Sequence, residues 1–398
     1  MSKRTIIALP GDGIGKTVLD ESIRVLDAAG FEAHYVEGDI GWEFWCSEGN
    51  PLPKRTLDLL EKYKIGLFGA ITSKPKDEAF DELKPELQEK GLVYSSPIVG
   101  LRQHFGLDIC LRPCKTYTGN PLNFIRRGAG TVIDEPEVDV AIFRQNTEGL
   151  YGGVEWSNPP KQVYEALMTH PKFVQNFGDV PVDEISVSTR IFSKNATERI
   201  LSAAFEHAKK YGYRSVTVCE KPNVIRETSG MMYKMAQQIQ KDNFPDIELW
   251  NTNIDAQMMW LTKNPENYGV IVAGNMFGDI VSDGFAGLIG GLGFACSAQY
   301  NPETGIGVFE PTHGSAPKYA DYPVSIVNPI AMIESACMML DFIDEQDIAK
   351  KIRKAVAGVV AEGKVKTYDM AKMAGRVNVV EKGAASTKQM TDAIIAKL

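Results

Sequence analysis

No run among the 398 residues approaches the roughly 18 consecutive apolar side chains of a membrane-spanning helix, which excludes a helical membrane anchor. Cysteine is scarce and unorganised. The six, Cys46, Cys110, Cys114, Cys219, Cys296 and Cys337, show no CxxC spacing, and with only five histidines no His/Cys cluster suggests zinc. Such usage predicts reduced, structural thiols. Positive charge is also in deficit, since 43 Lys and Arg against 51 Asp and Glu leave a net charge of -8. That balance argues against nucleic acid as a partner, because phosphate contacts need a basic face. An anionic ligand must instead be met by local cations. Repeats and low-complexity segments are absent too. The start, MSKRTIIALPGDGIG, passes from a short basic leader straight into a strand-like run, so the expectation is a cytoplasmic protein with no cleaved signal and no membrane contact.

What is present is a large apolar fraction, 44%, in a chain long enough for two or three domains or one large α/β unit. Strand-length apolar runs alternate with amphipathic stretches, as in TIIALP, VLDESIRVLDAAG and FEAHYVEG, which predicts an α/β fold. Residues 149–193 differ, being rich in Gly, Pro, Asn and aromatics with weak helical periodicity. They read as an arm or small subdomain suited to contact a partner chain. The last hundred residues return to helices, among them IAMIESACMMLDFI and EQDIAKKIRKAVAGVVAEG, spaced to pack on a sheet.

Three groups of residues could carry chemistry. In VIVAGNMFGDIVSDGFAGLIGGLG a buried-strand run precedes Asp279 and Asp283, which stand at i and i+4. With a helix starting near Gly278 they share a face and repel unless a cation compensates. Oxygen-only ligation suits magnesium or manganese. The alternative is a pair of first-turn carboxylates favoured by the helix dipole. Arg102, Arg112 and Arg144 form a basic set, two of them after the strand-like runs DICL and VAIF. Planar guanidinium forks pair bidentately with carboxylates, so three suggest a polycarboxylate ligand, with surface salt bridges as the alternative. Tyr151 and Lys221 have proton-transfer chemistry, although spacing alone does not single them out.

Two segments could meet a nucleotide. PGDGIG, Pro10 to Gly15, follows a strand and opens a helix, but no acidic residue ends a second strand about 20 residues on, so a structural turn is the better reading. In EPTHGSAPKYA, Gly, Ser and Ala permit close backbone approach while Lys318 and Tyr319 offer a cation and a ring. A ribose phosphate would attract Lys318, and Tyr368 and Lys372 in KTYDMAKM add to it.

In order along the chain, PGDGIG, LRQ, CLRP, FRQNTEGLY, EKPN, NMFGDIVSD, EPTHGSAPKYA and TYDMAKM resemble the β-decarboxylating dehydrogenases, the family of isocitrate and isopropylmalate dehydrogenases. The bacterial NADP-dependent isocitrate enzymes are the nearest likeness. The resemblance implies an α/β fold of two domains around a cleft plus a dimer-forming arm. Residues 1–107 and 290–398 would form the large, cofactor-binding domain, 108–148 and 194–289 the small one, and 149–193 the arm. It implies that Arg102, Arg112 and Arg144 bind substrate carboxylates, with Ser96 at the variable substituent. Asp279 and Asp283 would hold Mg2+ or Mn2+ with Asp255 reaching across from the other subunit of a homodimer, as would Lys221. Lys221 would serve in removing the hydroxyl proton and Tyr151 would protonate the enol carbon.

For the cofactor, the resemblance implies NADP, since Lys318 and Tyr319 stand where NAD-using members tend to carry Asp-Ile. Thr72, Glu310, His313, Gly314, Ser315, Ala316, Asn328, Tyr368 and Lys372 complete the implied cofactor set. Lys372 replaces the arginine of the nearest bacterial relatives. The long arm and HGSAPKYA resemble isocitrate dehydrogenases. Ile98, where those enzymes usually have asparagine, resembles homoisocitrate or isopropylmalate members by making the pocket more apolar.

Overall fold

The computed structural model describes residues 3–129 and 132–398, so the first two residues of the basic leader lie outside it. Ten strands form one sheet: β1 (Arg4–Gly11), β2 (Ala33–Glu37), β3 (Ile65–Ala70), β4 (Ile109–Lys115), β5 (Asp139–Gln145), β6 (Ser215–Glu220), β7 (Glu248–Asn253), β8 (Val270–Ala273), β9 (Cys296–Asn301) and β10 (Ile306–Pro311). Their order is β7-β6-β8-β5-β4-β9-β10-β3-β1-β2. The runs IGLFGA, SVTVCE and VIVA are buried throughout, as expected of strands covered on both faces.

The sheet has two halves. Strands β2, β1, β3 and β10 pair in parallel, as do β7, β6, β8 and β5. Between them β4 runs antiparallel to β5 and β9, and β9 antiparallel to β10. Strands drawn from 108–148 and 194–289 are contiguous, and so are those from 1–107 and 290–398. Within the sheet, the halves are joined by the pairing of β4 with β9, through Leu111–Ala298, Cys110–Gln299 and Ile109–Tyr300.

Helix Gly15–Ala29 buries Val18, Leu19, Ser22, Val25, Leu26 and Ala29, a 3.6-residue stripe that ends at left-handed Gly30. Helix Ile330–Phe342 is buried from Ile330 to Leu340 and packs on β10 and β9. Helix Lys194–Tyr211, capped by the Ser193 hydroxyl on Ala196 N–H, covers the other half with helix Thr228–Asn243. No helix among the described residues is long and apolar enough to cross a membrane. All six cysteines are free, and only Cys46 is not fully buried.

The turn at Pro10–Gly15 is structural. A Cβ on Gly11 would lie 1.9 Å from Ala70 O, and one on Gly13 2.2 Å from Ser315 O, so glycine lets three chain segments meet there. The arm corrects the expectation of weak periodicity. It holds a hairpin of Glu155–Ser157 with Ser186–Ser188 and two helices, Lys161–Met168 and Pro171–Phe177. Pro160, and His170 accepting from Lys172 N–H, start those helices. Neither helix buries a side chain, although Val163 and Leu167 in the first and Phe173 and Phe177 in the second stand four residues apart on one face.

Candidate active site

Alternation along four adjacent strands builds the polar floor of the site. Because side chains switch faces at every residue, Arg144 on β5 shares a face with its partner Cys110 on β4, and hence with Arg112. Gln299 on β9 pairs with Cys110, and Glu310 on β10 pairs with Ser297, so both lie on that face too. Leu111, Phe143, Ala298 and Phe309 occupy the opposite, apolar face. Arg112 and Arg144 are only 9% and 4% exposed, which rules out surface salt bridges. Arg112 lies inside its strand rather than at the end.

The carboxylates arrive from above this floor on helix Asn275–Ile289, which starts three residues earlier than Gly278. Gly274 N–H donates to buried Glu220 at 2.8 Å, and this contact fixes the early start. Asp279 and Asp283 therefore occupy the second and third turns, and the first-turn dipole reading fails. One Arg112 nitrogen donates to both, at 3.2 Å each, and to Ser282 Oγ at 2.9 Å. Arg144 donates to Asp279 and, at 3.0 and 2.8 Å, to Asn275 Oδ1. Burial and the adjacent Arg112 charge pull the Arg144 pKa down to about 10. Burial also raises the Asp283 pKa, against the opposing pull of Arg112.

Close approach is built in at Gly278, where a Cβ would sit 2.7 Å from Arg144 Cβ and Cγ. The donors suit a divalent cation: both carboxylates are partly exposed, and only their Oδ1 atoms accept hydrogen bonds from the described residues. Magnesium or manganese would be held by Asp279 and Asp283. A third carboxylate does not join them, because no group of three or more His, Cys, Asp or Glu side chains is poised for a metal among the described residues.

Arg102 comes from helix Pro97–Phe105, donating to Gln299 Oε1 at 2.5 Å with its terminal nitrogen 3.5 Å from Glu310. Ser96 caps that helix without using its hydroxyl, which is left available. Ile98, half-buried on the same helix, packs against the cluster that includes Ile7, Leu9 and Phe68. Val99, 42% exposed and three residues from both Ser96 and Arg102, presents apolar surface on their face of the helix. Tyr151 stands on the turn Leu150–Gly152 with the Arg144 guanidinium 5.9 Å from its ring centre.

The implied cofactor residues form a separate group, with one exception. Thr72 donates its N–H to Asp12 at 2.8 Å and pairs its hydroxyl with Ser315 Oγ at 2.6 Å. Ser315 O in turn accepts from Ile14 N–H, so the loop His313–Ala316 is held by the Pro10–Gly15 turn. Ala316 takes a left-handed φ of 38° before helix Pro317–Ala320. Burial lowers the His313 pKa; with Nδ1 3.0 Å from Gly314 O, its buried Nε2 has no partner among the described residues. Gly314 is exposed beside it. Lys318 Nζ sits 4.6 Å over the Tyr319 ring, and Tyr319 packs on Tyr368 with centroids 5.5 Å apart. Lys372, left-handed at φ 54°, closes the turn after Asp369, which accepts from Asn328 Nδ2 at 3.1 Å. Glu310 is the exception. It is buried beside Arg102 and accepts from Gln299, and burial raises its pKa against the pull of Arg102, Arg112 and Arg144.

This arrangement can be set beside known proteins. Residues 5–394 match the family described as Isocitrate/isopropylmalate dehydrogenase. The chain belongs to that family. Protein DlpA of Legionella pneumophila is 38% identical over 98% of the chain, which spans 58% of DlpA. A 3-isopropylmalate dehydrogenase of Archaeoglobus fulgidus is 35% identical over 92% of the chain and 94% of its own length. The crystal structure of isocitrate dehydrogenase from Methylococcus capsulatus superposes with a TM-score of 0.79 at 31% identity, covering 99% of each chain. The protein is thus a β-decarboxylating dehydrogenase, from a family that uses a nicotinamide cofactor and Mg2+ or Mn2+ on small hydroxy acids.

Within this dehydrogenase, two implied site residues stand apart from the carboxylate pair. Lys221, just after β6, donates to Asp255 at the start of helix Ile254–Leu261, and Asp255 remains mostly exposed. That helix also exposes Met259 and Trp260, as helix Asn275–Ile289 exposes Ile280. Sequence reading missed Asn275, Ser282, Asn146 and Gln299, which orient the arginines. The available signals were the polar run RQN closing the apolar strand VAIF, the polar-apolar alternation of SAQYN, and the placement of Ser282 between two aspartates.

Proposed function

We propose that the protein is an NADP-dependent isocitrate dehydrogenase, converting isocitrate to 2-oxoglutarate and CO2 with Mg2+ or Mn2+ in a cytoplasmic homodimer with shared active sites. The observation that carries this reading is Arg112 joining Asp279 to Asp283 beside Arg144, with Arg102 reaching the same face from the other half. Three guanidinium groups around two metal-suited carboxylates match an acid with several carboxylates. When bound, the metal polarises the substrate hydroxyl and NADP accepts the hydride.

Arg102, Arg112 and Arg144 hold the carboxylates, and Ser96 offers its hydroxyl to the terminal one. Lys221 of the partner subunit takes the hydroxyl proton, and Tyr151 returns a proton to carbon once CO2 has left. Lys318, Tyr319, Tyr368 and Lys372 form the pocket for a 2'-phosphate, attracted by the two ammonium groups. The remaining cofactor contacts fall to Thr72, Glu310, His313, Gly314, Ser315, Ala316 and Asn328. Residues 149–193 and the exposed Met259, Trp260 and Ile280 make the dimer contact. The two contiguous strand groups are the two domains, hinged where β4 meets β9. Six free cysteines suit a reducing compartment.

Exposed Val99 favours a second reading, in which the variable substituent is longer or apolar and the acid is homoisocitrate or 3-isopropylmalate. Measuring kcat/KM for the three acids with magnesium and NADP separates the two. An isocitrate value well below either rival excludes the first reading.

A further inference from the structure

The amide of Gln299 lies, fully buried, where the two halves of the sheet join. Its Oε1 accepts from Arg102 Nε at 2.5 Å and from Asn146 Nδ2 at 2.8 Å. Its Nε2 donates to Glu310. No other side chain of this size could make the whole set: a carboxylate cannot donate to Glu310, and an ammonium cannot accept from Arg102. Arg102 and Glu310 belong to the half built from 1–107 and 290–398. Asn146 follows Arg144 on the other half, and its own N–H is tied to Asp108 O at 3.0 Å. One oxygen thus spans from Arg102 to the strand that carries Arg144.

We propose that Gln299 is a positioning residue, fixing the distance and orientation of Arg102 relative to Arg144 and Arg112 and holding Glu310 beside them. It rests on the reading that these arginines bind the carboxylates of one acid. With Nε tied to Gln299 and one terminal nitrogen beside Glu310, the guanidinium plane of Arg102 is set. An acid held at both ends needs that spacing before any chemistry, so the loss of Gln299 weakens acid binding first.

The test is steady-state kinetics of Gln299→Met and Gln299→Glu on the acid that the unaltered enzyme turns over best, with Tm measured alongside. Methionine fills the space but removes every hydrogen bond, and KM for the acid should rise roughly tenfold, with kcat changed less than about threefold. Glutamate keeps the acceptor for Arg102 and Asn146 but sets a second carboxyl against Glu310 where the amide had donated, so KM should rise clearly less than in Gln299→Met without returning to the wild-type value. A Gln299→Met enzyme with wild-type KM overturns the proposal, as does a loss confined to kcat and Tm, or a glutamate variant as impaired as the methionine one. Should Gln299→Met not fold, Asn146→Ala removes one donor from the same oxygen and must raise acid KM by itself. Turnover of none of the three acids by the unaltered enzyme sinks the functional reading and this inference together, whereas wild-type behaviour of the variants sinks this inference alone.

Discussion

Lys221 forms an ion pair with Asp255 of its own chain while Asp279 and Asp283 are tied to Arg112, so the residues of one active site fall into two groups. If each site combines one group from each subunit, two inactive variants should complement. Mixing Asp279→Asn with Lys221→Met chains, unfolded and refolded together, leaves one intact site in each heterodimer. About a quarter of wild-type activity is expected at equal mixing. Activity no higher than in the separate variants would mean that each chain builds its own site.

The Lys318–Tyr319–Tyr368 stack predicts where NADP is told from NAD. Lys318→Asp with Tyr319→Ile replaces a cation by an acid suited to free ribose hydroxyls and removes the ring that Lys318 covers. The ratio of kcat/KM for NADP to that for NAD should fall by at least about a hundredfold, two phosphate contacts being lost. An unchanged ratio places the phosphate elsewhere.

Gly278→Ala introduces a Cβ 2.7 Å from Arg144 Cβ and Cγ, and neither the strand nor the helix can move far. Thermal unfolding should show a loss of about 1–3 kcal/mol, and kcat/KM should drop more than the loss of folded protein explains. Wild-type kinetics would show that Arg144 does not need this close packing.

Stability should depend on pH through His207. Burial, and then the Lys210 charge, hold it at about 4, below the ordinary 6.5, among the rings of Phe143, Tyr211 and Tyr213. The unfolded chain takes up this proton at the higher pH. The stabilising contribution is therefore present above about 6.5 and is lost as pH falls toward 4, by an amount on the order of 3 kcal/mol. Tm measured between pH 7 and 4.5 should fall less steeply in His207→Phe than in wild type, and equal slopes would exclude the effect.

Much of this architecture is legible in the residues themselves. Alternating apolar and helical runs predict the sheet and its covering helices, and the hydrophobic run before Gly274 predicts β8. The carboxylate pair at i and i+4 is equally plain. Other features depend on tertiary contacts that leave no local pattern. Glu220 fixes the helix start ahead of Gly278, half-buried Ile98 packs against the cluster that includes Ile7, Leu9 and Phe68, and Glu310 joins Arg102 through an amide eleven residues away in sequence. The arm helices are short and their apolar pairs are masked by the surrounding Gly, Pro and Asn, so they do not stand out from the segment.

The metal dependence of Asp279→Asn tests the site most directly. The variant keeps the shape of the side chain and an acceptor for Arg112 and Arg144 but loses the charge that pairs with a cation. Magnesium should support turnover by wild type after chelation, while the variant should fall at least about a hundredfold in turnover and in Mn2+ affinity measured by calorimetry. Normal activity with an unchanged magnesium requirement would contradict the assignment of Asp279 and Asp283 as the metal site.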